Sequence, residues 1–354
     1  MSPGPLDMLA KNACASIRYR VKEEILGESP QVSDYLEEIL QDRRVRYVLS
    51  WPREDGYVGD VFHGGWIPAE KRKYSSTGAE SGLRFLAEMG IPKSYPVVER
   101  GLRALLRKNW NVGKSSWNSW APGVGLYGDD YIRSVVFAYY GLEDTDFTGT
   151  EIERALDRFN DVLQINSFDE ITGRYRDKLY FSKGIALPDI YHLKLLAFTR
   201  SWRNSETVDS VAKAVGHLID LSPLPGIYVK YQSHLIAPAA IFPRHLGKSP
   251  HDFDGKDWFP WLHTMELFAR TGIVKRIPLL TRQAGELKAM LEAGDGLFGM
   301  KPADNSFRKW SVYSGLALED DWKGAKWKYD LTFRTLLILK YADLLGEKPD
   351  MPGQ

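Results

Sequence analysis

The sequence predicts an all-α protein, an α/α toroid in which repeated helical hairpins build an inner and an outer ring. Three observations carry that expectation. Apolar runs of helical period recur and stop at glycine, a second and more polar amphipathic segment follows the stops, and the return segments share an Asp-Gly turn. No linker, low-complexity tract or shift of composition interrupts the 354 residues, so the chain reads as one domain, 1–354.

Two helices, over 7–28 and 32–49, come first and are expected to close the ring. The turn Glu54-Asp55-Gly56-Tyr57-Val58-Gly59 follows, and hairpin repeats then fill about 75–346. The first inner helix reads Gly82-Leu83-Arg84-Phe85-Leu86-Ala87-Glu88-Met89 and ends at Gly90-Ile91-Pro92. Glycine supplies the left-handed cap there and proline cannot continue the helix. The cadence returns at 135–140 before Gly141, at 265–271 before Gly272 and at 337–345 before Gly346, while 190–202 is a fifth inner helix without the glycine. The polar partners are 97–108, 151–164, 207–221 and 274–292, each with one apolar stripe. The inner runs are apolar nearly all round, which is the difference expected between buried and surface helices. Gly294-Asp295-Gly296-Leu297-Phe298-Gly299 repeats the Asp-Gly turn, and Thr172-Gly173-Arg174-Tyr175 is a looser relative.

An outer helix that ends in Asp-Gly-aromatic-x-Gly, before an inner helix opening on small polar residues, resembles the repeat of squalene–hopene cyclases and protein prenyltransferases. The residues are Leu49-Ser50-Trp51-Pro52-Arg53-Glu54-Asp55-Gly56-Tyr57-Val58-Gly59 and Ser76-Thr77-Gly78-Ala79-Glu80-Ser81. The resemblance implies a terpenoid-cyclase-like enzyme, or a prenyl-chain-binding protein, with an aromatic central cavity and a carboxylic acid as proton donor. The family's motifs are incomplete here. Asp144-Thr145-Asp146-Phe147 lacks the last carboxylate of Asp-x-Asp-Asp, Cys14 lies far from any inner-helix start, and Asp129-Asp130-Tyr131-Ile132-Arg133 has Arg where a magnesium motif needs a third acid.

Bulk properties narrow the classes further. Lys plus Arg number 47 against 46 acids, so no global field recruits nucleic acid. The single Cys14 excludes an intrachain disulfide framework, and no apolar run is long enough to span a bilayer, so the expected compartment is the cytoplasm. The expected partner is a small molecule, an isoprenoid or alternatively an oligosaccharide. No cofactor is implied, and His63, His192, His234 and His263 lie on separate segments without a metal-ligand spacing.

In such a toroid, inner-helix N-termini and the loops before them rim the cavity. Asp129, Asp130 and Glu80 are the leading catalytic candidates, because convergent carboxylates raise one another's pKa towards neutrality. Asp189 and His192 stand one turn apart and could orient a general base. Aromatic and polar residues near the same rim are the substrate-binding candidates: His63, Trp66, Trp117, Trp120, Tyr127, Tyr131, Trp258, Trp310 and Trp322, with Asp330 and Arg334. Their flat faces suit a carbocation or a sugar ring. A pair drawn from Glu80, Asp129, Asp130, Asp189 and Asp330 would equally serve a glycoside hydrolase or lyase. A non-catalytic module binding a lipid, peptide or glycan is the third class.

Overall fold

Residue-level description by the computed structural model covers 4–64, 77–107, 128–182, 186–237 and 242–346. Four short helices come first. α1 (Pro5–Asn12) breaks at Ala13, whose extended backbone hands over to α2 (Ala15–Arg20), and α2 runs into a π-helical turn, Val21–Ile25. α3 (Ser33–Gln41) and α4 (Arg43–Leu49) are separated at Asp42, whose carboxylate accepts from the Arg44 amide at 2.7 Å and so caps α4. Apolar periodicity alone runs through both breaks, so the expected single helices over 7–28 and 32–49 are each divided in the fold.

The hairpins follow as expected in order. α5 (Ala79–Glu88) pairs with α6 (Pro96–Leu106), α7 (Asp129–Tyr139) with α8 (Asp146–Val162), α9 (Ile190–Phe198) precedes α10 (Ser205–Asp220), and α11 (Trp258–Thr271) precedes α12 (Pro278–Ala293) and the last helix, α13 (Trp327–Tyr341). α5, α7, α9, α11 and α13 pack one against the next, and α13 meets the π turn. α6, α8 and α12 lie against them as a second layer, and α10 packs on α8. Gly90, Gly141 and Gly272, which stop three of the inner helices, have positive φ between 65° and 88°, whereas α13 ends at Tyr341, five residues short of Gly346, and Asp343 takes the left-handed position after it.

The chain is not all-α, which corrects the toroid expectation. β1 (Thr172–Tyr175) and β2 (Lys178–Phe181) form one antiparallel hairpin, β3 (Ile227–Tyr231) and β4 (His234–Ile236) form another, and β2 pairs with β3 in parallel. The result is a four-stranded mixed sheet in the order β1-β2-β3-β4. Its physical cause is a period of two that helix-seeking overlooks: Ile227 and Val229 are buried while Lys230 is exposed, and proline and glycine precede the run. Among the described residues no helix is long and apolar enough to cross a membrane.

Candidate functional site

The first turn of α5 is laced to the segment before it. The Asp60 amide donates to the Thr77 carbonyl at 2.8 Å, the Ala79 amide to Val61 at 2.8 Å, the Glu80 amide to Phe62 at 3.0 Å, and Ser81 Oγ to the Gly64 carbonyl at 2.8 Å. Gly78 permits this approach, since a Cβ there would sit 2.2 Å from the Gly64 oxygen. The lacing lays His63 against α5 with Nδ1 2.7 Å from Glu80 Oε2. The other carboxylate oxygen, Oε1, accepts from the hydroxyl of Tyr191 on α9. Glu80 is buried, whereas about a third of the His63 side chain (34%) is exposed. The exposed ring of Tyr313 stands edge-on to both His63, at 6.0 Å, and Tyr191, at 5.9 Å.

Charge in this cluster is tightly coupled. Burial disfavours the imidazolium of His63, but the Glu80 carboxylate outweighs it and holds the His63 pKa above its ordinary value, with Asp129 adding to the rise and Lys194 opposing it. Lys194, one turn after Tyr191, is fully buried and donates to the Val312 carbonyl at 3.0 Å. Burial, with the Arg84 guanidinium second, holds its ammonium down to about 7 against Glu80, Asp189 and Glu88. Burial and the same two cations, Lys194 and Arg84, push the His263 imidazole well down. Arg84 itself donates to the Ser311, Ser314 and Gly315 carbonyls, so the loop that carries Val312 and Tyr313 is pinned to α5.

Towards the other end of α5 the buried side chains are ionic. Arg20, Glu88, Arg334, Glu266, Arg270 and Glu24 form a closed ring of alternating charge. The successive contacts are Arg20–Glu88 at 2.6 Å, Glu88–Arg334 at 2.9 Å, Arg334–Glu266 at 3.0 Å, Glu266–Arg270 at 3.0 Å, Arg270–Glu24 at 2.7 Å and Glu24–Arg20 at 2.5 Å. Three guanidiniums and three carboxylates balance, which is how charges this deep are tolerated. Burial opposes ionisation of Glu24, yet Arg20 and Arg270 bring its pKa down to about 2. Glu88 is likewise held far below the carboxylate range, against its burial, by Arg334 and Arg20.

No family model, curated protein or solved structure matches the chain. Its chemistry has to be read from the residues alone.

Of the sequence candidates, Glu80 and His63 meet directly, and Asp129 lies within their electrostatic reach. Asp189 and His192 also meet, but as a reciprocal cap on α9: the Asp189 carboxylate accepts from the Tyr191 and His192 amides, and His192 Nδ1 lies 2.7 Å from Asp189 Oδ1 and 3.1 Å from the Asp189 amide. The Tyr131 ring packs 4.9 Å from His192. Asp130 pairs with Arg133 on its own helix. Asp330 is buried and anchors the loop before α13, accepting from the Leu318 amide at 2.6 Å and from Trp322 Nε1 at 2.6 Å; burial, then Glu319, raises its pKa to about 7. Trp258 packs among Phe253, Trp261 and Phe298, and Trp310 lies edge-on to Phe85 beneath Arg84, so these rings are core. Arg334 belongs to the ionic ring. Trp66, Trp117, Trp120 and Tyr127 lie outside the described residues.

Sequence reasoning missed Tyr191, Lys194, Arg84 and the ring. The signal was present as spacing: Glu80, Arg84 and Glu88 recur every four residues on α5, and His263, Glu266 and Arg270 recur at three and four on α11. Both helices are buried on nearly every side, and in the fold Arg334 of α13 bridges Glu88 of one to Glu266 of the other. Among the described residues no three His, Cys, Asp or Glu side chains gather as a metal would need.

Proposed function

We propose that the protein is an acid–base enzyme acting on a hydroxyl-bearing substrate of the carbohydrate class, by hydrolysis or elimination. The observation that carries this reading is the chain Tyr191–Glu80–His63, which runs from a buried phenol through a buried carboxylate to a partly exposed imidazole. A carboxylate on Nδ1 fixes the ring and stabilises its protonated form, leaving Nε2 as the nitrogen that takes a proton from substrate. Lys194, poised near neutrality behind Tyr191, tunes the field on Glu80, and its ammonium offsets negative charge that develops beside it. The exposed face of Tyr313 offers a platform against which the apolar face of a sugar ring packs.

The same groups weigh against prenyl cyclisation at this end of the molecule. The partly exposed imidazole of His63 is a nucleophile, and a carbocation held against it would be trapped.

The test is turnover of a panel of neutral and uronate oligosaccharides, followed by reducing ends and by the ultraviolet absorbance of unsaturated uronates, with prenyl diphosphates in parallel. Glu80→Gln and His63→Asn should each lower kcat/KM on the responsive saccharide by about 10²–10⁴-fold while the protein remains folded. Conversion of a prenyl chain with no saccharide turned over, or full activity in both variants, would sink the reading.

A further inference from the structure

A cavity of about 680 Å³ opens at the far end of the same helices, beyond the ionic ring. That volume is within the range of small-molecule pockets, about 300–1,000 Å³. All five inner helices deliver their last turn to it, through Glu88 of α5, Tyr139 of α7, Phe198 of α9, Arg270 of α11 and Tyr341 of α13. Each helix C-terminus carries roughly half a negative charge, felt within the last turn. Convergence of five such ends sets the sign of the field before side chains are counted.

The side chains agree with that sign. Four carboxylates line the cavity, Glu23, Glu24, Glu88 and Glu143, against three guanidiniums, Arg20, Arg200 and Arg270. Arg20 and Arg270 are held in the ring by Glu24, Glu88 and Glu266. Glu143 accepts from the Arg200 and Ser201 amides, whereas Glu23 is exposed and receives only the Tyr19 hydroxyl, at 2.8 Å. Four aromatic residues share the wall with small ones: the rings of Tyr139 and Phe198 pack 4.0 Å apart, and Tyr341 and Tyr19 line it beside Ala87, Gly90, Ala138 and Gly141. These walls already hold one cation by its face, since the Arg270 guanidinium lies 4.8 Å from the Phe198 ring and 5.0 Å from Tyr341. Tyr139 brings a phenol to the same lining.

We infer that this cavity is a second ligand site, separate from the Glu80 cluster, and that it takes a small organic cation, an ammonium compound with a hydroxyl or second amine. Glu23 and the five helix ends attract the charge, the aromatic wall holds its alkyl surface, and the Tyr139 hydroxyl answers the ligand's polar end.

Calorimetric titration of the intact protein with choline, with putrescine and with 3,3-dimethylbutanol, the uncharged isostere of choline, tests the charge at constant shape. One of the two cations should saturate a single site, its affinity should fall as salt rises, and the neutral isostere should bind at least about tenfold more weakly. Glu23→Gln, a substitution at an exposed side chain, should weaken the cation about five- to tenfold, and Tyr139→Phe should weaken it less. Failure of both cations to saturate, equal binding of the isostere, or preference for succinate in their place would overturn the inference.

Discussion

Lys194 shows how much one residue's surroundings decide. In the unfolded chain its amine titrates near 10.4; folded, burial and the Arg84 charge bring it to about 7. Between those values the unfolded state binds a proton that the folded state does not, so stability rises with pH from about 7 to about 10. Below about 7 the full penalty applies, because the folded protein must either bury an ammonium or hold off its proton. Lys194→Met should therefore stabilise the protein most at pH 6, and the gain should shrink steadily towards pH 10. Denaturant midpoints across that range are the measurement, and a gain that does not vary with pH would remove Lys194 from the titrating set.

Asp189 belongs to the scale of the element. A carboxylate in the first turn of an inner helix can be catalytic or can cap the helix, and the sequence cannot separate the two. In the fold it accepts both the Tyr191 and His192 amides, which is the work of a cap. Asp189→Ala should cost about 1 kcal/mol in urea unfolding and leave turnover per folded molecule nearly unchanged. A loss of turnover beyond tenfold without loss of stability would return Asp189 to the chemistry. The lacing of Thr77–Ser81 to Asp60–Gly64 is a second element-scale device. It fixes the rotation of α5, and so decides that Glu80 meets His63 17 residues away.

At the scale of the whole molecule, the ionic ring joins the N-terminal helices to α5, α11 and α13. Removing one member strands charge in a medium that cannot solvate it. Arg334→Met leaves Glu88 and Glu266 without a shared partner and should destabilise the protein by about 3–5 kcal/mol. The ring also sets the acid limit. Glu24 is held at about 2 and Glu88 is depressed, so both contribute stability above the ordinary carboxylate range and lose it as pH falls from about 4.5 towards 2. Unfolding followed by circular dichroism over that interval should be cooperative in the native protein, and in Arg334→Met it should begin at higher pH.

What the sequence determined by itself is local. The glycines of the first Asp-Gly turn, Gly56 and Gly59, and those that stop three of the inner helices adopt positive φ as read, because a missing Cβ is a property of the residue and needs no neighbour. The order of inner and outer helices was legible for the same reason, since apolar period is written along one segment. Pairing was not legible. The strands at 172–181 and 227–236 are local hairpins, but their union into one sheet rests on β2 meeting β3 across about 45 residues, and the all-α expectation fails there. Nor could the sequence show that Glu80 would meet Tyr191, 111 residues on, or that Arg334 would bridge α5 and α11. Those contacts depend on which helices become neighbours and how each is rotated, and only the packed tertiary structure fixes both.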